Sequence, residues 1–122
     1  MEQTPTALKR RTKQFALDVL RFVAVEPYTE QTRSIRQQLI RSATSVGANY
    51  RAACRSRSRA EFIAKIGVTL EEADEAAFWI ELLIESGQSS SQPARALLQE
   101  ADELSAIFAA SSLTARANSG RP

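Results

Sequence analysis

Residues 58–87 read SRAEFIAKIGVTLEEADEAAFWIELLIESG, and the spacing of their apolar side chains decides the fold. Phe62, Ile66, Thr69, Ala73, Ala76, Ile80 and Leu83 recur at alternating intervals of four and three. That repeat marks one buried face of an α-helix turning 100° per residue. Ser58 and Glu61, three apart just before Phe62, fit a capping box, so the helix is predicted to open at Ser58 and end near Gly87. Val68, Glu72, Glu75, Trp79 and Leu82 fall on a different arc of the same helix. A monomeric bundle needs one buried stripe per helix, so this second arc predicts a face shared between subunits.

The flanking segments repeat the pattern. Upstream, Ile35, Leu39, Ala43, Val46, Tyr50 and Ala53 form a stripe that restarts near Ser34, whose spacing to Gln37 fits a capping box. A second row of small or amide side chains, Gln38, Ser42, Ser45 and Asn49, runs beside it. Earlier still, Leu8, Phe15, Val19 and Phe22 share one face, and Pro27 closes that helix because it has no N–H to donate. Downstream, a Ser-rich connection ends at Pro93, which suits a first helical turn, and Ala94, Leu97, Ala101, Leu104 and Phe108 follow. The predicted helices cover about 6–25, 34–55, 58–86 and 92–113 of one domain, 1–113, with 114–122 as a disordered tail. Short connections favour antiparallel neighbours, so the expected architecture is an all-α, up-down-up-down four-helix bundle.

Composition narrows the function more by exclusion than by signal. The 122 residues suffice for one core, and only four Gly and four Pro argue against a hairpin-rich all-β fold. No apolar run approaches the roughly 18 residues of a membrane span, and the N-terminus is polar, so a cytoplasmic protein is expected. There is no histidine, which removes Ser-His-Asp and Cys-His catalysis and the Glu-x-x-His ligands of di-iron bundles. With no glycine-rich phosphate loop or zinc spacing either, no enzyme activity, metal or cofactor is expected. Cys54 is the sole cysteine and reads as a small buried hydrophobe, with its arginine neighbours offering a route to reactivity.

Charge is unevenly spread. Residues 1–65 carry 13 Lys or Arg against 5 acids, while 66–122 carry 3 against 9, so a net +2 conceals halves of +8 and −6. Two clusters stand out: Lys9, Arg10, Arg11 and Lys13, and Arg51, Arg55, Arg57 and Arg59 with Lys65. Together they are candidates for phosphate contacts with RNA or DNA. The alternatives are ordinary solvated positions, or pairing with the acidic half of a neighbouring subunit. Glu72 and Glu75, one turn apart, are candidates for a polar network with Arg41, Ser45 or Asn49, inside the bundle or across an interface.

The runs Gln38-Leu39-Ile40-Arg41-Ser42, Ser45-Val46-Gly47-Ala48-Asn49-Tyr50-Arg51 and Ser58-Arg59-Ala60-Glu61-Phe62 resemble a known family, and Glu72-Ala73-Asp74-Glu75 with Phe78-Trp79-Ile80-Glu81-Leu82-Leu83 continues the match. These are the four-helix-bundle proteins encoded in intervening sequences of bacterial 23S ribosomal RNA genes. The resemblance implies a homo-oligomer, a pentameric ring in known cases, and kinship with accessory proteins of diversity-generating retroelements. Ala52 departs from the acid the resemblance implies at that position. The functional expectation is a non-enzymatic oligomeric scaffold that binds RNA or DNA and assists a partner protein. A scaffold that binds proteins alone is the alternative.

Overall fold

In the computed structural model, which describes residues 3–89 and 91–118, four α-helices follow one another and no strand forms among those residues. They are α1 (Pro5–Val25), α2 (Glu30–Cys54), α3 (Arg59–Glu85) and α4 (Gln92–Asn118). Each packs against its successor, and α1 meets α4 to close a four-helix bundle. The α1–α4 seam is the least closely packed of the four. No helix among the described residues is long and apolar enough to cross a membrane.

Local chemistry sets the helix ends. Thr4 caps α1 by accepting the Ala7 N–H at 3.1 Å, with Pro5 pre-set for the first turn. Ser58 caps α3 by accepting the Glu61 N–H at 3.1 Å. Gly87, with φ of 81°, takes the left-handed conformation beyond the end of α3. Two boundaries differ from the sequence reading. Helix α2 begins at Glu30, not near Ser34, because Thr29 and Thr32 form the reciprocal capping box that Ser34 and Gln37 were expected to make. Thr32 is itself buried, so the apolar stripe gains a turn through a residue whose hydroxyl is satisfied locally. Helix α4 runs on to Asn118, so the tail predicted from 114 is helical at least that far. Ala115 falls on the same face as Leu104 and Phe108 and is buried. Residues 119–122 of that predicted tail lie outside the described residues.

The core is the union of the four stripes. Phe15, Val19, Leu39, Val46, Ile66, Ile80, Leu104 and Phe108 are fully buried. The Tyr50 and Phe108 rings meet with centroids 5.2 Å apart. Three hydroxyls buried among them bond back to their own helices: Thr12 to the Leu8 carbonyl, Ser42 to Gln38 and Thr69 to Lys65, at 2.8–2.9 Å. Such i−4 bonds satisfy a polar group without requiring a partner across the core.

Gly47 faces Thr12 across the α1–α2 seam, and a Cβ there would lie 3.6 Å from Thr12, an ordinary contact. Gly47→Ala is therefore expected to stabilise the domain by about 0.5–1 kcal/mol through backbone entropy alone. Urea denaturation would read this as a higher midpoint at an unchanged slope; a lower midpoint would mean the seam is tighter than its geometry indicates.

Candidate nucleic-acid interface

The basic residues are sorted by helical geometry. Lys9 and Lys13, four apart on α1, face the seam with α2, where Arg51 completes a groove of about 370 Å³ floored by Ala16, Thr44, Gly47 and Ala48. A recess of about 460 Å³ adjoins it, bordered by Ala48, Arg51, Ala52, Arg55, Arg57 and Glu61. Ala48 and Arg51 border both, so five cations and one acid, Glu61, line the two adjoining recesses that together form the α1–α2 channel. None of the five forms an ion pair among the described residues. Ala52, where the family resemblance implied an acid, lies among three of these arginines without neutralising them.

Three other candidates are elsewhere. Arg10 points to solvent on the outside of α1. Arg11 is turned the other way, onto α4. Its Nε and Nη2 donate to Glu100 at 2.8 and 2.7 Å, and Nη2 also donates to Glu103 at 2.8 Å. The Glu100 hydrogen bonds hold the Arg11 guanidinium more firmly protonated than usual, against the desolvation that opposes it. Gln99, then Arg11, holds the Glu103 carboxyl below the usual range. A depressed folded value means that this contribution is complete above the unfolded pKa and fades as pH falls through the folded one. Arg11 therefore leaves the nucleic-acid set and becomes the clasp of the α1–α4 seam. Arg59, the remaining candidate, lines a separate groove beside Phe62.

On the α2–α3 seam, Arg41 donates from Nη1 to Glu72 at 2.9 Å, from Nη2 to Glu75 and from Nε to Gln38 at 3.1 Å. Trp79 Nε1 donates to the same Glu75 at 3.0 Å. The polar network is thus formed within one chain by Arg41, Glu72 and Glu75. Asn49 and Ser45 do not join it: Asn49 Nδ2 donates to the Ser45 carbonyl of its own helix, apart from Arg41 and the two acids. Of the second arc, Val68 is exposed while Trp79 and Leu82 are half-buried, with Trp79 packed against the core. Phe78, which the periodicity did not single out, is 49% exposed and meets Trp79 edge-on at 5.1 Å. It widens the apolar outer face of α3. Cys54 ends α2 half-buried; burial, then the adjacent Cys54 side chain, pushes the Tyr50 hydroxyl up. Among the described residues no group of His, Cys, Asp or Glu is placed to hold a metal ion.

A family model described as "23S rRNA-intervening sequence protein" matches residues 7–110. The chain belongs to the 23S rRNA-intervening sequence protein family. The crystal structure of a protein with unknown function from the S23 ribosomal protein family of Bacteroides thetaiotaomicron VPI-5482 is similar at 28% identity. It has a TM-score of 0.78 and the match covers 85% of this chain and 96% of that one. No curated protein matches at a significant level. The family match takes in the whole basic channel and the Arg41 network, and it stops before the last turns of α4.

Proposed function

We propose that this 23S rRNA-intervening sequence protein is a non-catalytic homo-oligomeric scaffold that binds RNA or DNA by its phosphate backbone along the α1–α2 channel, bringing that nucleic acid to a partner protein. The observation that carries the reading is the convergence on one channel of five cations, Lys9, Lys13, Arg51, Arg55 and Arg57, that form no ion pair among the described residues. The small side chains on the channel floor let a phosphate approach the helices closely. Among the described residues no aromatic ring lines the channel, so base stacking has no platform there and binding is expected to be insensitive to sequence. Repetition of the channel around a ring, five-fold by family resemblance, would add the positive fields of the copies.

Fluorescence anisotropy with a labelled RNA hairpin, measured between 50 and 200 mM salt, tests this. Five phosphate contacts per protomer on a duplex give a log-log salt slope of about −4.5. Lys13→Glu with Arg51→Glu is expected to weaken binding by about 50-fold at 100 mM salt and to lower the slope by about 2. Arg10→Glu with Arg59→Glu should change binding far less. Equal losses in both pairs would dissolve the channel into a diffuse charge effect. Salt-insensitive binding, or none, would favour the second reading, a scaffold that binds proteins alone. Its support is the exposed apolar surface of Val68 and Phe78 on α3. Light scattering on the same samples reports whether copies assemble.

A further inference from the structure

Arg11 sets the register of the α1–α4 pair. Because it bonds Glu100 and Glu103, Pro5, six residues earlier, stands level with residues 106–109 of α4. Helix α4 continues to Asn118, so about nine of its residues, some ~13 Å of helix, project past the start of α1. Most of this overhang is exposed, Leu113 among it, and Ala115 is its one buried residue among those described. The overhang borders the beginning of α3, and with α1 absent at that level an open groove of about 750 Å³ remains, with Gln3, Arg59, Ala110 and Thr114 exposed along it. Phe62 of α3 and Ile107, Ala110 and Ala115 of α4 make its walls mainly apolar; Arg59, Gln3, Thr114 and Ser111, whose hydroxyl donates to the Ile107 carbonyl, supply its polar groups.

We propose that this groove binds a small amphipathic anion, a single aliphatic or aromatic body ending in a carboxylate. Three observations converge on that class. The volume falls in the range of about 300–1,000 Å³ typical of small-molecule sites, which are mainly apolar with a few polar anchors. The apolar walls require an apolar body. Arg59, which forms no ion pair among the described residues, selects a negative head by charge complementarity and disfavours a positive one. Arg59 serves this site and not the α1–α2 channel, so the proposal stands or falls separately from nucleic-acid binding. Part of the wall, Ala115, lies beyond the residues that the family model matches.

The test is displacement of anilinonaphthalene sulfonate, itself an apolar anion, from the full chain by dodecanoate and by dodecyltrimethylammonium, both below micelle-forming concentration. Dodecanoate is expected to displace the dye saturably and at least about tenfold more tightly than the cation of equal chain length. Arg59→Glu should abolish that preference. Ala110→Trp, which sets a bulky ring into the groove from an exposed position, should sharply weaken binding of both while circular dichroism shows the helices intact. Arg51→Glu, in the other basic site, should leave dodecanoate binding unchanged. Equal binding of the two detergents, undiminished binding in Ala110→Trp, or loss of binding in Arg51→Glu would each overturn the assignment. Dissociation of an oligomer by Ala110→Trp would also overturn it, making the groove a contact between copies.

Discussion

Phe108→Ala is expected to lower the unfolding free energy by about 3–5 kcal/mol, the largest loss from any single substitution considered for this bundle. Phe108 has no exposed surface and belongs to α4, and its ring packs against Tyr50 of α2 across the core. Truncation removes the apolar area of the ring and leaves a hole beneath Tyr50, which is itself only 5% exposed. Two effects then add. The transfer term for the lost carbons is joined by a cavity term, because long helices held at both neighbours collapse only partly into a void. A domain of this size has a total stability of about 5–15 kcal/mol, so the variant should unfold at a far lower urea midpoint and sit close to the transition at 37 °C. Phe108→Leu, which keeps most of the volume, should lose much less. A loss below about 1 kcal/mol for the alanine variant would mean that α4 does not seat its stripe in the core as described.

The core was legible because it depends on periodicity, a property of the chain alone. Every residue in the stripe from Phe62 to Leu83 ends up buried or half-buried on one face of α3, including Thr69, whose hydroxyl bonds back to Lys65. The start of α2 is less legible for a reason of the same kind. Thr29 and Thr32 complete a capping box that a search for Ser or Thr followed by Glu or Gln does not find. The end of α4 was missed because its last buried contact is a lone alanine, Ala115, too weak a signal to extend a stripe.

Surface chemistry was less legible, since residues adjacent in sequence lie 100° apart on a helix. The basic run from Lys9 to Lys13 is thereby divided among three directions: Lys9 and Lys13 to the α1–α2 channel, Arg10 to solvent, Arg11 to the acids of α4. Only the i, i+4 pair stays together. Arg59 is likewise separated from Arg51, Arg55 and Arg57, because the turn between α2 and α3 carries it to another side of the bundle. The pairing of Arg11 with Glu100 spans 89 residues, and no local pattern announces it.

Arg41→Met is expected to cost about 2–3 kcal/mol, below the 3–5 kcal/mol of a fully buried broken pair because Arg41 is about half exposed. The asymmetry of the site sets the size. Among the described residues Arg41 is the one cation bonded to Glu72 and Glu75, whose side chains are 14% and 34% exposed, so its loss leaves two converging carboxylates, Glu72 above all with reduced access to water. Trp79 still donates to Glu75, but a neutral N–H does not cancel a charge. Adding Glu72→Gln and Glu75→Gln to the Arg41→Met chain should therefore restore most of the deficit, which separates uncompensated charge from lost packing. Trp79 is the only tryptophan, and its bond to Glu75 makes its emission a local reporter of the same event. A shift of that emission in Arg41→Met, reversed in the triple variant, is the expected result. Because the network closes within one chain, the deficit should not change with protein concentration. A deficit that shrinks as concentration rises would place Glu72 and Glu75 at a contact between copies, where the outer arc of α3 was first read to lie.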